Sequence, residues 1–124
     1  MTDHATQSCS QSRRAVQDTL EIINGKWKLP ILITLYSKPF RFKELSREIG
    51  ITPRMLSREL QDLELNQLIS RTVLQTRPVS VEYAVTEYGL TFVEVLEAMK
   101  NWGVKHRRKL IFSDDPAAKV AHSQ

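Results

Sequence analysis

The stretch that decides the fold is FRFKELSREIGITPRMLSRELQDLELNQLI, which occupies residues 40–69. Its first part carries Phe42, Leu45 and Ile49 at the spacing of one helix face, which predicts a short amphipathic helix. Gly50 follows directly, and glycine adopts at little cost the left-handed backbone that ends a helix. The first helix is therefore predicted to end in a tight glycine turn.

A second helix is predicted immediately after this turn. Thr52 is a favourable N-cap residue, and Pro53 suits the first helical position, where a missing N–H costs little. Apolar residues then recur with helical spacing at Leu56, Leu60 and Leu63. Two short helices joined by a glycine turn are typical of the helix-turn-helix motif.

The outer face of this second helix has side chains suited to reading DNA. An α-helix fits the major groove of B-DNA, where arginine can bond guanine through two hydrogen bonds and glutamine can bond adenine in the same way. Base contacts are expected near the helix N-terminus, which also presents backbone N–H groups to a phosphate. The residues predicted to contact DNA from this helix are Thr52, Arg54, Ser57, Arg58 and Gln61. The alternative interpretation is a solvated charged face on an ordinary helix.

A β-hairpin is predicted after the motif, because the hydrophobic period changes. Ile69–Leu74 and Val81–Val85 are β-prone runs, and the polar, basic segment Gln75–Ser80 separates them. Such a tip is expected to contact the sugar-phosphate backbone, which positions a protein without specifying sequence. The residues predicted to make these contacts are Gln75, Thr76 and Arg77 at the tip and Lys43 and Arg47 on the first motif helix. Solvated basic side chains are again the alternative.

Helices are predicted on both sides of this region. Two precede it, from about Arg13 to Ile23 and from about Trp27 to Tyr36, with Asn24-Gly25 as the stop between them. A final helix is predicted from about Glu87 to Lys109, with Thr86 as its cap and an apolar band wider than one core stripe needs. We therefore expect one domain over residues 13–112, with flexible tails at 1–12 and 113–124. The predicted class is α+β, mainly α, a winged helix-turn-helix.

The charge distribution favours a nucleic-acid partner. The whole chain of 124 residues carries a net charge of +4. The segment from Arg13 to Arg58 holds ten basic and four acidic residues, so it alone carries +6. Because the helix-turn-helix lies within this segment, the positive charge is concentrated around the predicted DNA-binding elements.

Composition restricts the compartment and the class of protein. The longest apolar run, Leu29–Leu35, is too short to cross a membrane, and the polar N-terminus lacks the apolar segment of a secretory signal. Cys9 is the only cysteine, so no disulfide can form within the chain. We expect a cytoplasmic protein that associates with the nucleoid through DNA.

The sequence has no recognisable catalytic or metal-binding motif. Its histidines are scattered, and it has no cluster with metal-ligand spacing, phosphate loop or nucleophile elbow. We therefore expect no enzyme activity, metal or cofactor.

Motifs along most of the chain resemble the HxlR-type winged helix-turn-helix regulators. The ordered set, rather than any single piece, carries the resemblance, which covers about residues 13–110. Its pieces are Asn24-Gly25-Lys26-Trp27-Lys28, Ile31-Leu32, Arg41-Phe42-Lys43-Glu44-Leu45, Ile49-Gly50-Ile51-Thr52, Leu56, Leu60, Leu63-Glu64, Val81-Glu82-Tyr83, Thr86 and Trp102-Gly103.

The resemblance implies a bacterial transcription factor that dimerises through its N- and C-terminal helices and binds a pseudo-palindromic operator. It also implies that Thr52–Arg58 begins the recognition helix and that Gln75–Ser80 forms the wing. Repression is expected rather than activation, because the chain has no spare domain for recruiting polymerase. The alternative is a winged-helix protein-interaction module that does not bind DNA specifically.

The single cysteine departs from the family pattern. Many members carry a cysteine shortly before the first helix, and in some of them it senses oxidants or electrophiles. That position corresponds to Arg14 here, and Cys9 lies five residues earlier without the proline that usually follows. The simpler interpretation of Cys9 is a thiol in a flexible tail. Redox sensing through Cys9 stays open, because Arg13 and Arg14 would favour a thiolate nearby. A small-molecule or redox effector is the corresponding candidate partner.

Overall fold

The computed structural model describes the backbone of residues 2–114 and the side chains of residues 8–112. Over this range the chain forms, in order, α1 (Thr2–Ile22), α2 (Lys28–Ser37), β1 (Phe40–Arg41), α3 (Phe42–Ile49), α4 (Pro53–Leu65), β2 (Ile69–Leu74), β3 (Ser80–Val85), α5 (Glu87–Leu90) and α6 (Val93–Asp114). The chain divides into two compact units between Leu90 and Thr91. A mainly helical chain with a small sheet confirms the predicted fold class.

The sheet adds one strand to the predicted hairpin. Over the described residues it has three antiparallel strands in the order β1-β3-β2, with β3 in the centre. β2 and β3 form the predicted hairpin, whose register runs from Ile69 opposite Val85 to Leu74 opposite Ser80. β1, which pairs Phe40 with Tyr83, was not predicted because two residues are too few to show a strand period.

The core of the first unit lies between α2, α3 and α4. The fully buried side chains are those of Ile31, Leu32, Leu45, Leu56, Leu60, Leu63 and Ile69. The predicted apolar stripe of the second motif helix is therefore confirmed, because all three of its leucines belong to this set. Each such side chain stabilises the fold by about 1.5–3 kcal/mol through its removal from water. This stripe fixes which face of α4 points inward and which remains exposed.

The N-terminal helix is longer than predicted. It begins at Thr2 rather than near Arg13, so residues 2–12, predicted as a tail, are helical. Residues 2–22 contain neither glycine nor proline, so no strong helix breaker interrupts them despite their polar composition. At the other end α6 continues to Asp114, and the rest of the predicted C-terminal tail lies outside the described residues.

The predicted final helix is divided into two. Thr86 caps α5 as expected, because its Oγ1 accepts a hydrogen bond from the Gly89 N–H at 2.9 Å. The helix does not continue to Lys109, because α5 ends at Leu90 and α6 begins at Val93. Gly89 lies in α5, and glycine weakens a helix. Its carbonyl also accepts a hydrogen bond from the Tyr36 hydroxyl at 2.7 Å. Burial raises the pKa of Tyr36, which keeps this donor protonated.

The second unit consists mainly of α6, and this helix exposes many apolar side chains. The exposed ones are Val95, Met99, Trp102, Val104, Leu110, Ile111 and Phe112. The Trp102 indole stacks on the His106 imidazole one turn later, with ring centroids 4.8 Å apart. Every helix within residues 2–114 is too short or too polar to span a lipid bilayer.

Candidate nucleic-acid interface

The turn between α3 and α4 has the geometry that the sequence predicted. Gly50 has φ 77° and ψ 34°, the left-handed region, and its N–H donates to the Ser46 carbonyl at 2.9 Å. The Ser46 hydroxyl in turn donates to the carbonyl of Ile51 at 2.6 Å. Ser46, in the last turn of α3, thus holds Gly50 and Ile51 of the connection, which fixes the direction in which α4 begins.

The N-terminus of α4 is capped by Thr52. Its Oγ1 accepts the backbone N–H of Met55 at 3.3 Å, and Pro53 occupies the first turn. Both features agree with the prediction from sequence. They leave the start of α4 in a defined conformation at the surface, where Thr52 and Arg54 are exposed.

The outer face of α4 carries the predicted readers. Arg54, Ser57, Arg58 and Gln61 are all exposed, opposite the buried leucine stripe. Within residues 8–112, neither Arg54 nor Arg58 belongs to an ion pair. Their guanidinium groups are therefore available to an anionic or hydrogen-bonding partner, as bidentate base recognition requires.

The inner side of α4 has a charged contact that the sequence did not predict. Lys28, one of the ten basic residues between Arg13 and Arg58, is only 5% exposed. Its Nζ lies 2.7 Å from Oε2 of Glu59, 3.2 Å from Oδ2 of Asp62 and 3.2 Å from Oδ1 of Asn24. Burial by itself lowers the pKa of Lys28, but the two carboxylates outweigh burial and raise this pKa above its ordinary value. Lys28 is therefore a buried cation bound to α4 and not a DNA contact.

The tip of the hairpin is held by its own hydroxyl groups. The Thr76 hydroxyl donates to the Pro78 carbonyl at 2.9 Å and lies 3.0 Å from the Ser80 hydroxyl. Because Thr76 donates its one proton to Pro78, Ser80 is the donor in the second bond. Gln75 and Arg77 are exposed beside this arrangement. Thr76 therefore shapes the tip, while Arg77 extends from it.

A cleft of about 710 Å³ separates the start of α3 from the hairpin tip. Its lining includes the rings of Phe42 and Tyr83, whose centroids are 6.4 Å apart. The basic residues that line it are Arg41, Lys43, Arg47 and Arg77, against one acidic residue, Glu44. The Glu44 carboxylate accepts the Arg41 backbone N–H at 3.2 Å.

This cleft brings together two groups of residues that the sequence predicted separately. Lys43 and Arg47 come from the first motif helix, and Thr76 and Arg77 come from the wing. Gln75 does not line the cleft. Arg41 does, although it was not among the predicted contacts; its position directly before α3 in a basic segment was the available signal. The cleft is therefore a concave, positively charged surface.

Cys9 belongs to neither surface. It lies in α1 with an exposed, free thiol. The predicted site residues thus divide into the α4 face, the wing cleft with Gln75 exposed beside it, and this separate cysteine.

A family model described as HxlR-like helix-turn-helix matches residues 22–110. The chain belongs to the HxlR-like helix-turn-helix family. The matched range includes α4 and the wing and begins after Cys9.

Relatives and solved structures agree with this membership. An HTH-type transcriptional regulator of Halalkalibacterium halodurans is 43% identical over 91 residues, which cover 72% of this chain and 80% of that protein. The crystal structure of the HTH-type regulator YtcD is 39% identical with a TM-score of 0.72, over 75% of this chain and 96% of that one. The redox regulator HypR in its reduced form is 37% identical with a TM-score of 0.71, over 75% and 93% of the two chains.

Membership of the HxlR-like family indicates what this geometry is used for. The relatives that this chain matches are transcriptional regulators and not enzymes, which confirms the predictions of a DNA-binding regulator and of no enzyme activity. This HxlR-like protein is a transcriptional regulator whose DNA-binding element is a winged helix-turn-helix.

Proposed function

We propose that this HxlR-like regulator is a cytoplasmic repressor that binds a pseudo-palindromic operator as a homodimer. The proposal rests on the distribution of side chains around α4. Leu56, Leu60 and Leu63 are buried on one side, and the polar and basic side chains face solvent on the other. A helix of this kind can enter the major groove without disturbing the core of the domain.

Direct readout is assigned to the outer face of α4. Arg54 and Arg58 are the principal candidates for bidentate bonds to guanine, and Gln61 is the candidate for adenine. Ser57 bonds either a base or a phosphate, and Thr52 lies where the capped helix end presents backbone N–H groups to a phosphate. These residues give the sequence preference.

Backbone contacts are assigned to the wing cleft. Its four cations, Arg41, Lys43, Arg47 and Arg77, lie along a concave surface beside the motif, with Glu44 as the single opposing charge. A negatively charged DNA strand matches this surface, and each neutralised phosphate releases counterions. Gln75 adds a hydrogen bond from the exposed tip, and Thr76 keeps the tip in shape for Arg77.

Dimerisation is assigned to the terminal helices. α6 exposes Trp102, Leu110, Ile111 and Phe112 among other apolar side chains, and α1 exposes Val16 and Leu20. Apolar surface of this extent on a small protein marks an interaction site. A symmetric dimer would present two recognition helices to half-sites about one helical turn, ~34 Å, apart. Repression then requires only that the occupied operator excludes RNA polymerase.

An effector forms a second part of the proposal, supported by similarity to the redox regulator HypR. We propose that a small molecule changes operator affinity, with an oxidant as the alternative effector. An oxidant would have one thiol in each protomer on which to act, because Cys9 is the only cysteine.

The experiment that tests the proposed function selects bound fragments from genomic DNA, with and without oxidant, and then measures affinity at several salt concentrations. A regulator is expected to enrich a palindromic sequence and to lose affinity steeply as salt rises. A protein-interaction module would show weak binding, little salt dependence and no enriched sequence. That result would contradict the proposal.

A further inference from the structure

We propose that Lys28 is a positioning residue, which sets the orientation of the recognition helix through a buried ion pair and does not itself touch DNA. The inference rests on the proposed readout of DNA by α4. Lys28 is the first residue of α2, yet its ammonium group reaches Glu59 and Asp62, one turn apart on α4. A third partner, Asn24, belongs to the connection after α1, so three segments meet at one cation.

The leucine stripe fixes which face of α4 points inward, but its contacts are less sensitive than the ion pair to a small rotation about the helix axis. Leu56, Leu60 and Leu63 are held by the hydrophobic effect, which is non-directional and depends on the area removed from water. A small rotation about the helix axis changes that area little. The bonds from Lys28 are directional and short, 2.7 Å and 3.2 Å, so the same rotation breaks at least one of them.

The rotation matters because Arg58 and Glu59 are neighbours on α4. Arg58 is exposed on the outer face, whereas the Glu59 side chain is only 16% exposed and is held by Lys28. Bidentate bonds to a base tolerate little displacement. Holding Glu59 in place therefore fixes the angle at which Arg58 leaves the helix.

A role in positioning α4 explains this buried ion pair better than a role in stabilising the fold. Burying charges is costly, and replacing a buried ion pair by hydrophobic groups of similar volume is often neutral or stabilising, although removing one partner alone destabilises. An ion pair under the recognition helix is therefore better explained by orientation. The two roles predict different results when both partners are replaced together.

The test uses the full chain with Lys28→Met and Glu59→Met combined. This pair keeps both side-chain lengths and leaves the net charge unchanged, so nonspecific attraction to DNA is preserved. The operator found by fragment selection and a scrambled duplex are titrated at one salt concentration. We expect a cooperative thermal melt, wild-type affinity for the scrambled duplex, and a loss of at least tenfold in the ratio of operator to scrambled affinity.

Lys28→Met alone is compared with Lys26→Met, a matched loss of one positive charge at an exposed lysine two residues away. Lys26→Met is expected to lower both affinities by the same factor. Amide hydrogen exchange without DNA supplies an independent readout: α4 should exchange faster in the double variant while α2 and the sheet do not.

Two results would overturn the inference. One is a double variant that retains the wild-type affinity ratio and the wild-type exchange of α4. The other is a double variant that fails to fold, since the pair would then serve the fold itself. If the wild-type protein shows no preference for any sequence, the proposed function fails, and unchanged exchange of α4 in the double variant would still overturn the positioning role.

Discussion

The Ser46 hydroxyl donates to the Ile51 carbonyl at 2.6 Å, across the turn that joins the two motif helices. The same residue accepts the N–H of Gly50 at 2.9 Å through its own carbonyl. Ser46 therefore holds two residues of the turn, Gly50 through its carbonyl and Ile51 through its hydroxyl. Because the turn determines where the capped end of α4 begins, these bonds help to position the surface that we propose reads DNA.

Gly50→Ala is expected to destabilise the domain by roughly 1–2 kcal/mol, because an alanine side chain opposes the left-handed conformation. A Cβ at Gly50 would meet nothing within 4 Å, so the cost is in the backbone. Gly103→Ala is the control: it lies inside α6, also has open space, and should not destabilise. Urea unfolding measures both variants. Equal stability of Gly50→Ala and wild type would contradict the assigned turn.

Arg41→Ala is expected to weaken binding to all duplexes by a similar factor and to reduce the slope of log K against log salt by about 1. The reason is that a cation lining the wing cleft would neutralise one phosphate. Lys38→Ala is the matched control, because Lys38 is exposed nearby, with its ammonium over the Phe40 ring, and does not line the cleft. If the two variants give the same slope as wild type, the cleft does not hold the DNA backbone.

Trp102→Glu is expected to convert a dimer into a monomer at micromolar concentration, because it puts a charge into the exposed apolar surface of α6. Sedimentation velocity measures the change. Asn101→Glu adds the same charge one residue away, at an exposed polar position, and should leave the dimer intact. A wild-type protein that sediments only as a monomer would contradict the proposed interface.

Diamide is expected to leave operator affinity nearly unchanged, both in wild type and in Cys9→Ser. The thiol is exposed on α1, it is the only one in the chain, and it lies outside the range that matches the family. Fluorescence anisotropy with a labelled operator measures both proteins before and after oxidation. A loss of affinity in wild type that Cys9→Ser abolishes would instead assign redox sensing to this thiol.

The parts of the fold that depend on local sequence could be predicted. Gly50 ends α3 and Thr52 caps α4 because both roles depend on conformations within a few residues. The exposed face of α4 followed from the leucine period for the same reason. The start of α1 was missed, because its polar residues suggested a tail although no helix breaker interrupts them.

Other features depend on residues distant in sequence. The Gly89 carbonyl of α5 accepts the hydroxyl of Tyr36, a residue 53 positions earlier in the chain. Lys28 and its partner Glu59 are 31 residues apart, so no local pattern indicates that this lysine is buried in an ion pair. Arg41 lines one cleft with the wing residues only because α3 and the wing face each other. Such contacts arise from tertiary packing and leave no period or spacing in the sequence.

The most direct measurement of the central claim compares affinities for operator and scrambled duplex in wild type, Arg54→Ala and Arg58→Ala. Each α4 variant is predicted to lose about 1–3 kcal/mol of operator binding if it removes a base contact. Arg14→Ala, which removes an exposed arginine from α1, is predicted to leave the difference between the two duplexes unchanged. Wild-type operator affinity in both α4 variants would contradict the assignment of this face as the DNA reader.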